Sequence, residues 1–223
     1  MCTFTSSDLI NKIKDYQNKN SELLKSHHFV FDCPFGKNKK IKPDYIWMGV
    51  NPGKDDQDWK ITGEKNDEET RDRNFQDIYG RSTNSKTRMT KIKNFLGDKC
   101  FEKTTHTELF FWGSKNTDQF FEQRYRTKFL NSPHLEFCSQ INLSLFERIK
   151  PIYIFFESLD KIEIFKKFFN IKLKRSFNVS NRLINEYIVN EKYKLLNFDH
   201  LSAGPPASLS RKDVSKFIRD LIN

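Results

Sequence analysis

Two short turns, far apart in the chain, carry the side chains whose types and spacing are best suited to chemistry. The first is Gly49-Val50-Asn51-Pro52-Gly53, which cuts off the apolar run Tyr45-Ile46-Trp47-Met48. Asn51 is a lone amide set between small and rigid residues. An amide offers one acceptor and two donors but is no real general base, so it can hold and orient a reactant rather than deprotonate one. Gly49, Pro52 and Gly53 turn the backbone out of a strand and let another molecule approach it closely. The second turn, His200-Leu201-Ser202-Ala203-Gly204-Pro205-Pro206, repeats the design: an apolar segment, a histidine, a small-residue loop, then a helix.

The elements that must position these turns follow from hydrophobic patterning. Tyr45–Met48 has too few polar positions for a sheet edge, so it reads as a strand covered on both faces of a parallel sheet. Function in such sheets gathers at the carboxyl ends of strands. Thr104–Trp112, Ile152–Phe156 and Tyr193–Phe198 read as three further strands. Ser6-Ser7-Asp8 can cap a helix reaching about Lys25, and Leu135–Arg148 and Ser210–Ile222 carry apolar residues at helical spacing, with Lys91–Leu96 on a helix as well. The stretch 55–80 is polar and long enough to be a functional excursion, pinned by Trp59, Phe75 and Tyr79. No linker divides the 223 residues, and one domain over 1–223 is expected.

Together, Gly49–Gly53 and the His200–Pro206 loop resemble the two signature loops of the uracil-DNA glycosylase superfamily. The first loop is most similar to the mismatch-specific and thymine-DNA glycosylase branch. The resemblance implies an α/β fold, a three-layer α/β/α sandwich with a short central parallel sheet, and the order of elements above agrees with it. Two strand-end turns in an unrelated α/β domain are the plainer alternative.

Charge fits a polyanionic partner. The chain has 39 Lys and Arg against 29 Asp and Glu, a formal net charge of +10, and a pI of about 9.3. Basic clusters lie at Lys37–Lys42, Arg81–Lys93, Lys166-Lys167, Lys172–Arg175 and Arg211-Lys212. Those beside the two loops are the candidates for phosphate contacts, which fix register without reading sequence. The apolar content is concentrated in 22 Phe, while 8 Gly and 7 Pro leave little for flexible repeats. No apolar run approaches the roughly 20 residues needed to span a bilayer, and no signal peptide is evident, so a cytoplasmic monomer is expected. Cys2, Cys33, Cys100 and Cys138 are too dispersed for a zinc or iron–sulfur site, and His27, His28 and His106 lack a third ligand nearby in sequence. Structural thiols and metal-independent, cofactor-free chemistry follow.

The resemblance assigns roles residue by residue. Asn51 would hold the water that attacks the sugar, and His200 would donate a hydrogen bond to the pyrimidine O2 as negative charge gathers there. Ser202 would hold a phosphate, and Leu201 or the tip Gly204-Pro205-Pro206 would enter the space left by the flipped nucleotide. Lys54 and Arg211 are further DNA contacts. Where strict uracil enzymes carry a bulky aromatic after the first loop, Gly53 and Lys54 stand here, which implies a pocket open to a large group at C5. Gly49 and Phe110 are also candidates for lining the base site, although Phe35, Phe111 and Trp112 compete with Phe110, and a core role is the default for each.

Glu108 aligns by pattern with the base-reading Asn of the superfamily. A carboxylate accepts from the exocyclic amine of cytosine and repels the O4 of uracil or thymine. Glu108 would equally be an ordinary surface charge if the strand register differed by one. The implied activity is that of a monofunctional DNA glycosylase acting on a 5-modified cytosine, such as the hydroxymethylated or glucosylated base of phage DNA, in antiviral defence. Repair of uracil or thymine mispaired with guanine, and a catalytically silent nucleic-acid-binding module, are the alternatives.

Overall fold

Side chains alternate across a strand, so an apolar run without polar gaps must be covered from both sides. The computed structural model describes residues 6–20, 29–35, 42–51, 83–112, 128–201 and 210–222. Within them β2 (Tyr45–Gly49), β3 (Thr104–Glu108), β4 (Tyr153–Glu157) and β7 (Tyr193–Phe198) form a parallel ladder in the order β3-β2-β4-β7. Ile46, Met48, Ile154, Phe156 and Leu195 face one side, where they pack with α1 (Ser7–Lys19), α4 (Pro133–Ile149) and α5 (Ile162–Phe168). Tyr45, Trp47, Tyr153, Phe155, Leu196 and Phe198 face the other, against α2 (Thr83–Leu96), the short α3 (Asp98–Phe101) and α6 (Arg211–Ile222). The chain is therefore a mixed α/β fold with helices on both faces of its sheet.

The sheet is larger than the short parallel one expected. It has seven strands, because β1 (Cys33–Pro34) adds antiparallel to β3 and a hairpin, β5 (Ile171–Val179) with β6 (Arg182–Val189), adds antiparallel to β7. The hairpin turns at Ser180-Asn181, both at positive φ (48° and 60°). Two consecutive left-handed residues are the signature of a hairpin turn whose twist matches its strands.

Three boundaries also differ. The first helix stops at Lys19, where Asn20 turns extended and its side-chain amide donates back to Tyr16 O. The 104–112 segment is a strand only to Glu108. Leu109 and Phe110 still donate to Gly49 O and Val50 O, but the chain bends there, and Trp112 makes an isolated bridge to Phe29. The helix expected from Leu135 begins at Pro133, whose missing N–H and fixed φ suit a first helical position. Among the described residues no helix is long and apolar enough to cross a membrane.

Candidate functional site

The parallel register lines up the ends of four neighbouring strands. Gly49 pairs with Glu108, Met48 with Phe156, and Glu157 with Phe198. Residues paired in register share a face, so Glu108 (β3), Gly49 (β2), Glu157 (β4) and Phe198 (β7) form one row on the α2/α6 side, at the carboxyl edge of the sheet. Asn51 lies two residues beyond β2 and His200 two beyond β7, so the two loops flank this row. Gly53, Lys54, Ser202, Gly204 and Pro205 lie outside the described residues, as do the anchors expected within 55–80.

Glu108 is not a surface charge. It is 4 % exposed, and its carboxylate lies directly over Gly49, where a Cβ would stand 2.1 Å from Glu108 Oε2. Gly49 is thus required by close approach of a side chain rather than by backbone conformation. Oε1 lies 3.1 Å from Nε2 of the buried His106, which stacks on Phe35. Oε2 is buried and has no hydrogen-bond partner among the described residues. A buried acceptor without a donor costs about 1–3 kcal/mol, more when charged, which is a standing reason for a ligand with an N–H to bind there.

The backbone of Glu108 is held by a residue that the sequence pattern did not single out. Asn142, fully buried on α4, accepts a bond from Thr107 Oγ1 (2.9 Å) and donates one to Glu108 O (2.9 Å). An amide in the middle of an otherwise apolar helical stripe was the available signal. Asn142→Ala strands one donor and one acceptor in the interior, so a loss of about 2–4 kcal/mol is expected. Thermal unfolding should register it as a Tm lowered by roughly 5–15 °C.

Glu157, in the row itself, is a second residue that the sequence pattern did not single out. This carboxylate, 1 % exposed, accepts Trp47 Nε1–H (3.1 Å) and the Leu201 amide (3.3 Å). His200 Nε2 stands 3.9 Å away, too far for a hydrogen bond but close enough for attraction when the imidazole is charged. Glu157 therefore ties the start of the second loop to the centre of the sheet. A single carboxylate ending the apolar segment Tyr-Ile-Phe-Phe was its signature in the sequence.

At the backbone, Glu108 and His200 are on strands about 14 Å apart, three spacings of ~4.8 Å. Their side chains close much of that distance. The Glu108 carboxylate overlies β2, Nε2 of His200 faces a carboxylate from β4, and β2 and β4 are adjacent.

Phe110 is buried in the core and packs edge-on against Trp112 and Phe129. Its amide, bonded to Val50 O, supports the loop that carries Asn51. Arg211 lines a small cavity with His200, Leu201 and Phe95. Cys33, Cys100 and Cys138 are buried and form no disulfide among the described residues. Burial pushes the Cys100 thiol up to about 12 and raises that of Cys138 as well, so both are structural rather than nucleophilic. Among the described residues no three His, Cys, Asp or Glu side chains converge as a metal site.

The chain matches no protein-family model and no curated protein. The functional reading rests on the geometry of this edge and on the two loops.

Proposed function

We propose that this protein is a monofunctional DNA glycosylase of the uracil-DNA glycosylase type, with the corresponding α/β/α sandwich, and that its base is a 5-modified cytosine. The observation that carries this reading is the buried Glu108 oxygen, without a donor among the described residues and held over Gly49 beside the Asn51 loop. Cytosine N4–H₂ supplies such a donor, whereas the O4 of uracil or thymine would meet it acceptor to acceptor. That contrast favours modified cytosine over the repair of mispaired uracil or thymine.

The chemistry is a hydrolysis. With the nucleotide flipped out of the duplex, Asn51 orients a water toward C1′. The C1′–N1 bond breaks, its electron pair leaves with the base, and the water oxygen bonds to C1′ while its proton is released. His200 donates a hydrogen bond to O2 as charge accumulates on the base, and Glu108 holds the N4 side. With no lysine in either signature loop except Lys54 at the border of the first, the product is an abasic site rather than a cleaved strand.

The test is alkali-revealed cleavage of duplexes carrying uracil, a thymine mismatch, 5-hydroxymethylcytosine or its glucosylated form. Cutting confined to the modified cytosines is expected. Cutting of uracil alone would retain the glycosylase and overturn the role of Glu108. DNA binding with no cutting of any substrate would favour a silent binding module.

A further inference from the structure

The basic clusters differ in where the fold places them. In the Lys172–Arg175 run, Arg175 and Lys174 (3.4 Å) pair with the buried Glu186, and Lys172 lies 3.6 Å from Glu191. Lys166 pairs with Glu163. These cations are engaged in holding the hairpin and α5. The clusters on α2 and α6 also take part in ion pairs, and the fold brings them together across one open groove of about 820 Å³.

Lys91 and Lys93 line one wall of this groove, and Arg211, Lys212, Lys216 and Arg219 line the other, with Asp98 and Asp213 as the carboxylates among the described lining residues. Asp98 lies 3.1 Å from Lys93, and Asp213 accepts from Ser180 Oγ at 2.5 Å. The two helices are fixed to each other by Ser215 Oγ, which donates to Phe95 O at 2.8 Å, so the groove is a built feature. Lys212 and Lys216 are one helical turn apart, as are Arg211 with the position of Ser215 and that position with Arg219. Like charges at this spacing destabilise an isolated helix by a few tenths of a kcal/mol per pair. A bound polyanion would offset that repulsion.

We propose that the α2/α6 groove binds the phosphate backbone of duplex DNA flanking the reacting nucleotide. This inference rests on the glycosylase reading for the location of that nucleotide. The groove lies on the same face of the sheet as the Glu108–Glu157 row. Phe95 and Arg211 line both the groove and the small cavity at His200, so one surface leads into the other. Arg211 to Arg219 covers about 12 Å along the helix axis, or roughly three to four nucleotides at 3.4 Å of rise each. Such contacts carry no sequence information; they add affinity and fix the register in which the nucleotide reaches the edge.

The experiment compares Lys212→Glu/Lys216→Glu with a charge-matched control, Lys12→Glu/Lys14→Glu on α1, which packs on the opposite face. Fluorescence anisotropy with an unmodified labelled duplex, titrated over a series of KCl concentrations, reads affinity and salt slope without requiring turnover. The groove variant should lose at least about tenfold in affinity, with a log–log salt slope shallower by about two. The control should stay within about threefold of wild type, and Lys212→Gln/Lys216→Gln should give a smaller change in the same direction with unaltered thermal unfolding. Equal losses in the groove variant and the control would overturn the proposal, as would no duplex binding by wild type, or a groove-dependent loss seen on single-stranded RNA alone. A groove-dependent loss in a protein that excises nothing would sustain the groove and remove the glycosylase reading.

Discussion

His200→Ala is expected to slow base excision by a hundred- to a thousand-fold while leaving duplex affinity nearly unchanged. One preorganised donor aimed at developing negative charge contributes about 3–4 kcal/mol to the transition state, and its removal appears in the chemical step. Single-turnover excision of the preferred base, with affinity measured in parallel, separates the two quantities. The side chain is 46 % exposed and closes no core, so its loss should leave the fold intact. Asn51→Ala should act in the same direction by removing the group that orients the water. Because both residues serve one step, the double variant should fall short of the product of the two single losses. A drop in affinity as large as the drop in rate would instead assign His200 to binding.

Substituting Glu108 should change which base is removed. Glu108→Gln exchanges an obligate acceptor for an amide that can also donate, so excision of modified cytosine should fall by about 10- to 100-fold, and uracil should gain relative to it. The expected shift corresponds to about 1–3 kcal/mol, the usual discrimination of one well-placed polar contact to a base. Gly49→Ala provides an independent route to the same result. Its Cβ would lie 2.1 Å from Oε2, so the carboxylate must move aside while the strand remains paired. Both variants should be assayed on the same substrate panel. An unchanged ratio of cytosine to uracil excision in both would remove Glu108 from base reading.

β2 and β4 were legible because each is a short, nearly unbroken apolar run whose alternate residues must serve two cores, whereas β3, Thr-Thr-His-Thr-Glu, is polar in sequence although buried. Tyr45–Gly49 illustrates this, with Ile46 and Met48 entering one cluster and Tyr45 and Trp47 the other. The β5–β6 hairpin was not legible as such. Its outer strand, Ile171–Val179, carries Lys172, Lys174 and Arg175 and presents most of its residues to solvent, so the charge pattern masked the strand pattern. Ser180-Asn181 was the turn signal, weaker than one containing glycine because both residues must adopt positive φ.

At the site, Asn51 and His200 could be picked out because a polar side chain just beyond an apolar strand is conspicuous, and Glu108 because its position aligns by pattern with a base-reading one. Glu157 ends its strand in the same way but lacked a motif to mark it. Asn142 could not be assigned, because its partners, Thr107 Oγ1 and Glu108 O, lie more than thirty positions away in sequence. Only the crossing of α4 over β3 brings them together.

The hairpin also changes the meaning of the basic run at Lys172–Arg175. β5 is the last strand of the sheet, with a row of backbone groups that another chain could extend. Its ladder to β6 is broken by a register shift between Leu173 and Arg175, with Lys174 at the shift and Lys172 just before it. Irregular pairing and charge are two of the means by which edge strands resist recruiting a further strand. At the opposite margin, β1 is only two residues long and offers almost no template. Cations that first suggest a nucleic-acid contact thus act as gatekeepers, guarding an exposed Leu173 (56 % accessible) and keeping an aromatic-rich, strand-forming chain from propagating its own sheet.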